Sequence, residues 1–215
     1  MVECINGGIE MKIYDISMEI HEDMTVYKNK QEKRPHHTIT VQQGDVTESR
    51  ICMDMHTGAH VDAPLHMIRE GDTVENIDLK KVITKCKVFD FTHLSDKITK
   101  ENLKDKQIEE GDFIIFKTRN SFKEDFDFKF VYLEKSAAEF LKEKGVIGVG
   151  IDALGIERDQ PGHETHKILL GSGIVILEGL RLKDVEEGEY FLFAAPLKIK
   201  KAEAAPTRAV LIKEE

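Results

Sequence analysis

Residues 56–66 read His56-Thr57-Gly58-Ala59-His60-Val61-Asp62-Ala63-Pro64-Leu65-His66, and they gather three of the chain's nine histidines around one aspartate. Imidazole nitrogens and carboxylate oxygens are the usual protein ligands of zinc and related divalent ions. His56 and His60 have helical spacing, but Gly58 and Pro64 oppose a continuous helix. In an extended segment His60 and Asp62 share a face, because strand side chains alternate. A turn at Gly58 then swings His56 in beside them. Three ligands from so short a loop leave positions for another ligand and for water, as catalysis requires.

A second group of such residues lies far downstream. A short helix expected over residues 164–170, stopped by Gly171, brings His163 and His166 near each other. The next strand, residues 174–177, ends in Glu178. That carboxylate interrupts the apolar run Ile174-Val175-Ile176-Leu177, where burial without a partner is costly. A metal ion offsets the cost by taking Glu178 as a ligand; a solvent-exposed strand end is the other way to satisfy the pattern.

The elements that must position these groups are mostly strands. Residues 1–10 are expected to be a loose leader and residues 11–17 the first strand. Residues 20–34 have no clear period and form a long loop, a kind of segment that is often functional. Residues 36–43 and 46–55 are expected to pair antiparallel through a turn at Gly44-Asp45, the second strand running directly into His56. Further strands are expected at 82–91, 113–118, 146–151, 190–194 and 208–212. Thr99 is placed to cap a short helix reaching Lys106, and a helix over 136–144 is ended by Gly145. Residues 122–130 interleave aromatics with charges, a stripe that packs into the core, meets a partner or covers a pocket. The result is a strand-rich α/β chain, one domain over residues 1–215.

Composition narrows the function. Hydrophobic content of 40% with 33% charged residues is that of a soluble globular protein, and a net charge of −9 disfavours nucleic acid and anionic membranes as partners. No apolar run approaches a bilayer span, and the start lacks a signal peptide's apolar core. Cys4, Cys52 and Cys86 follow no disulfide or metal spacing, which makes the cytoplasm the expected compartment.

Residues 56–66 match throughout the pattern His-x-Gly-Thr/Ala-His-x-Asp-x-Pro-x-His. His166 followed twelve residues later by Glu178, within Ile176-Leu177-Glu178-Gly179-Leu180, matches a second pattern. With Gly150-Ile151-Asp152 and Ala205-Pro206-Thr207-Arg208-Ala209-Val210 they span nearly the whole chain, which thereby resembles the cyclase family of metal-dependent hydrolases. That family includes bacterial-type kynurenine formamidase and isatin hydrolase. The resemblance implies a swivelling β/β/α fold and a homodimer or homotetramer. It implies His56, His60, Asp62, His166 and Glu178 as ligands of one or two divalent ions, zinc or alternatively manganese, with Asp62 bridging a pair. His66 is implied as the catalytic acid/base; a further ligand, or a group that orients one, is its other possible role. The expected reaction is hydrolysis of a small amide, an aryl formamide such as N-formylkynurenine, by metal-activated water. Opening of a cyclic amide or lactone is the alternative, and a metal-stabilised binding protein the non-enzymatic one.

Two departures bear on substrate. Formamidases carry a tryptophan after the first strand that packs on the aromatic substrate, whereas this chain has none; Tyr27 is the nearest counterpart, as a pocket or a surface residue. After Gly-Ile-Asp they continue Thr-Pro-Ser, where this chain has Ala153-Leu154-Gly155. N-formylkynurenine is therefore not expected to be the best substrate of a panel.

Overall fold

The computed structural model describes residues 2–6 and 9–214. The chain opens with strands β1 (Val2–Asn6) and β2 (Ile9–Asp15), then runs irregularly through 3-10 turns at Tyr27–Asn29 and Gln31–Lys33. Next come β3 (His36–Gln43), β4 (Val46–Cys52), β5 (His60–Asp62), β6 (Ile83–Asp90), β7 (Lys97–Ile98), α1 (Lys100–Leu103) and β8 (Phe113–Lys117). The second half adds β9 (Tyr132–Leu133), α2 (Lys135–Lys144), β10 (Gly148–Ile151), α3 (Glu164–Gly171), β11 (Val175–Glu178), β12 (Gly188–Phe193), β13 (Ala204–Pro206) and β14 (Val210–Glu214).

One ten-stranded sheet orders these as β1-β2-β14-β12-β6-β8-β10-β11-β5-β13. Its centre, β6-β8-β10-β11, is parallel, and both wings are antiparallel. Parallel neighbours need crossovers, which α2 and α3 supply between β8, β10 and β11. Alternation then divides the core. Ile114, Phe116, Val149, Ile151 and Ile176 face the helices with Leu141 and Leu169, whereas Phe113, Ile115, Leu177, Val61, Leu192 and Leu211 pack together on the other face. That second core draws mostly on the sheet itself, so the sheet curls over it. A bridge between Ser17 and Leu180 helps fasten the curl.

α2 exists for a local reason: Ala137, Ala138, Phe140 and Leu141 form its buried stripe, Glu134 accepts from Ser136 N, and Gly145 at φ 73° takes the last carbonyls. α1 is shorter than expected. Thr99 and Asn102 do form a capping box, but Leu103 is its one buried residue, too little apolar surface to extend the helix. The expected leader is also corrected: Val2–Asn6 pairs antiparallel with Ile9–Ile13 at the sheet's edge. The hairpin β3–β4 forms as expected but ends at Cys52 and stands apart as its own two-stranded sheet, exposed along both strands. Among the described residues, no helix is long and apolar enough to cross a membrane.

Candidate metal centre

β5 lies between β11 and β13, with Glu178 opposite His60 and Ile176 opposite Asp62. Opposed residues on neighbouring strands share a face. His60, Asp62 and Glu178 therefore project to the helix side, while Val61 and Leu177 enter the other core. α3 crosses that side and buries Thr165, His166, Leu169 and Leu170, at helical spacing, against the sheet. Gly58 makes the sharp turn before β5 at φ 66° and returns His56 to the cluster. Gly179, also left-handed, abuts it: a Cβ there would lie 2.1 Å from the Gly58 carbonyl oxygen. The two ligand-type segments thus meet backbone to backbone.

Their side chains converge. His56 Nδ1 is 3.0 Å from Asp62 Oδ1, and His60 Nε2 is 3.6 Å from the same oxygen and 3.3 Å from Glu178 Oε2. His166 Nε2 is 3.8 Å from Asp62 Oδ2 and 3.5 Å from Glu178 Oε1. His163, the other candidate on this segment, turns away to Glu157. Glu178 is only 3% exposed, so the exposed strand end is excluded.

Proton positions follow from the partners. His60 Nδ1 lies 2.9 Å from the Gly58 carbonyl, which can only accept. Nδ1 therefore donates, which leaves Nε2 facing two carboxylates. His166 repeats the arrangement, its Nδ1 donating to Glu157 Oε1 at 2.7 Å. Orientation of a ligating imidazole by a carboxylate or carbonyl on its far nitrogen is a recurring feature of metal sites. His60 Nε2 and both oxygens of Asp62 are buried without a hydrogen-bond partner. Acceptors facing lone pairs in a dry interior call for a cation between them. The donor set of imidazoles and carboxylates fits a divalent metal ion.

The electrostatics show how the bare protein compensates. Burial alone would lower the His60 imidazole, but Glu178 and Asp62 outweigh it and raise it to about 8. Against the same burial, Glu157, Glu178 and Asp62 raise His166 to about 10. Burial opposes ionisation of Glu178, yet the adjacent imidazoles of His166 and His60 hold its carboxyl well below the ordinary range. Protons on the imidazoles thus stand where a cation fits.

His66 ends a 3-10 turn, Pro64–His66, half-buried beside His56 with ring centroids 4.2 Å apart. Burial, with the charges of His56 and His166, pushes its imidazole below the usual value despite Asp62 and Glu178. His56, Asp62 and His66 can bring one atom each within 4.8 Å of one another, as can His60, Asp62 and Glu178, so Asp62 belongs to both sets.

A cavity of about 200 Å³ opens onto these groups, walled by Met24, Tyr27, Met67, Leu154 and His163. Tyr27 is half-buried in that wall, its ring edge-on to Phe126 at 5.3 Å. Burial and nearby Asp159 push its hydroxyl up to about 12, so it stays a neutral donor. Glu157 is the functional-site residue that the sequence concealed: a buried carboxylate accepting from His163, His166 and Thr165. Its one signal is an acid placed directly after the apolar stretch Leu154-Gly155-Ile156.

Comparison with known proteins agrees with this geometry. The Cyclase family model matches residues 14–158. Kynurenine formamidase from Bacillus cereus is 32% identical over 172 residues, 79% of this chain and 82% of the relative. A solved structure described as a potential metal-dependent hydrolase with cyclase activity is 53% identical, superposes with a TM-score of 0.91, and is matched over 95% of this chain and 99% of its own. Isatin hydrolase A from Labrenzia aggregata, at 23% identity, shares the fold, with a TM-score of 0.85 over 95% of this chain and 94% of its own. A family match over most of the chain, joined to relatives of this identity and coverage, makes the protein a hydrolase of the Cyclase family.

Proposed function

We propose that this hydrolase is metal-dependent and cleaves the C–N bond of a small amide, an aryl formamide such as N-formylkynurenine. The observation that carries the reading is the set of orphaned buried atoms, His60 Nε2 with Asp62 Oδ1 and Oδ2, turned toward Glu178 and His166. His56, His60, Asp62, His166 and Glu178 would hold the metal, zinc or alternatively manganese. Asp62, common to two ligand sets, would be the shared carboxylate of a two-ion site. When bound, the metal supplies a Lewis acid that lowers the pKa of a coordinated water and polarises a carbonyl. His66, neutral because it is buried, takes a proton from water and returns it to the departing amine. The apolar walls, Met24, Met67 and Leu154, seat an aryl group and exclude bulk water.

Opening of a cyclic amide or lactone is the second reading. It draws on the resemblance, by which formamidases carry a tryptophan as the counterpart of Tyr27 and Thr-Pro-Ser where this chain has Ala153-Leu154-Gly155; Tyr27 and Gly155 both line the cavity. Metal analysis of the purified protein, followed by assay on N-formylkynurenine, simple formanilides and a set of lactams and lactones, tests both. Metal-loaded protein inactive on all of them overturns the reading in favour of a binding protein.

The uncovered hairpin β3–β4 supports a homo-oligomer, because a two-stranded ribbon is marginal alone; light scattering reads its size. Free Cys52 and Cys86 accord with a reducing cytoplasm.

A further inference from the structure

His163 breaks a local rule without a local gain. It stands at the N-cap of α3, where Ser, Thr, Asp or Asn usually bind the first free amides, yet its side chain makes no capping bond. Its backbone is left-handed, at φ 48° and ψ 51°. A residue with a Cβ adopts that conformation uncommonly, and such strain gathers at functional sites. The imidazole turns to Glu157, with Nδ1 3.0 Å from Oε1. Although burial opposes it, bonds from His166 and His163 keep the Glu157 carboxyl below its ordinary range, so it is an acceptor only. Nδ1 therefore faces the acceptor as the donor, which in the neutral tautomer leaves the lone pair on Nε2.

No described residue bonds that second nitrogen. The side chain is 41% exposed on the cavity wall, and its ring centroid lies 6.4 Å from that of His166. The ionic groups at the mouth are already matched, Lys33 with Asp54 at 3.1 Å and Lys28 with Asp159 at 2.6 Å. His163 Nε2 is thus an acceptor held in place and left for a ligand.

We propose that His163 is a specificity-determining residue whose Nε2 accepts a hydrogen bond from an N–H of the substrate, as in a secondary amide or lactam. The proposal rests on the amide-hydrolase reading above. An ester or lactone of the same shape would set oxygen against the lone pair, and a site built to bond an N–H rejects an analogue lacking it.

The test is a cycle of two proteins and two substrates: parent and His163→Ala, each with a lactam and the lactone of the same ring. Loss of one neutral hydrogen bond lowers the lactam-to-lactone ratio of kcat/KM roughly three- to tenfold in the variant. The change appears mainly in KM for the lactam. Metal content per chain is expected to hold, because His166 keeps its own bond to Glu157. His163→Asn, which tolerates a left-handed backbone, gives the same ratio change if the alanine variant folds poorly. A ratio within about twofold of the parent's, below the loss expected for one hydrogen bond, overturns the inference. So does an equal loss on both substrates together with metal, since His163 would then merely support Glu157. A parent that cleaves no amide or lactone overturns the proposed function as well; turnover with an unchanged ratio sinks the inference alone.

Discussion

Asp62 ends β5 and Asp152 follows β10, and each is 1% exposed. The oxygens of Asp152 accept from Thr118 N at 2.7 Å, Thr118 Oγ1 at 2.8 Å, Ser121 N at 3.2 Å and Ser121 Oγ at 2.7 Å. Asn120 Nδ2 adds a longer bond at 3.4 Å. Burial still pushes this carboxyl up to about 6 against the pull of those donors. Asp62 accepts no hydrogen bond at either oxygen and faces the imidazoles of His56, His60 and His166. Burial of a charge does not mark a functional site by itself. A carboxylate enclosed by donors ties a loop to a strand, whereas one that accepts no hydrogen bond among imidazoles is arranged to hold a cation.

Substitutions at the two aspartates test that contrast most directly. Asp62→Asn is expected to lose metal and to lower kcat/KM about a thousandfold or more, since an amide is a poor bridging ligand and the Lewis acid is worth several kcal/mol. In chelator-treated protein the same change should also lower the unfolding free energy, because it removes a buried charge that holds the His60 and His166 protons. Elemental analysis and denaturant titration read the two halves. Unchanged metal content would remove Asp62 from the site.

Asp152→Asn is expected to cost stability alone. Its amide nitrogen would confront N–H and O–H donors, destabilising the fold by about 3 kcal/mol, while metal bound per folded chain stays at the parent value. Loss of metal without loss of stability would erase the distinction between the aspartates.

Glu157→Ala comes next, with metal affinity reduced roughly ten- to hundredfold, the usual effect of removing the partner that orients a ligating histidine. Chelator competition measures it, and unaltered affinity would show that His166 needs no such support. Tyr27→Ala should have the smallest effect, a rise in KM of about threefold to tenfold from lost ring contact or one lost hydrogen bond, with metal content intact. If KM is unchanged for every substrate cleaved, Tyr27 does not contact the ligand.

The contrast also explains what could be read from sequence. His56, His60 and Asp62 were legible because their spacing, a glycine turn and strand alternation are local facts. His166 and Glu178 needed the family resemblance, since nothing in a helix or a strand by itself says that they meet. Glu157 was hidden because it acts through a histidine nine residues on, in a segment with no period. The extended form of β5 is a local fact, but its pairing with β11 and β13 from the far end of the chain is not. The hairpin was visible through its Gly44-Asp45 turn, but alternation does not reveal which sheet, if any, a strand joins.

The backbone contact between Gly58 and Gly179 has a consequence for the order of assembly. The segments it joins are separated by more than half the chain, and closing so long a loop costs entropy before any contact repays it. A nascent chain can expose His56, His60 and Asp62 early, yet it has no complete site until β11 has been made and docked. An ion that binds only the closed site therefore arrives last and shifts the balance toward the folded state by mass action. On the proposed metal-dependent reading, metal supply would then govern how long the finished molecule survives as well as how fast it works.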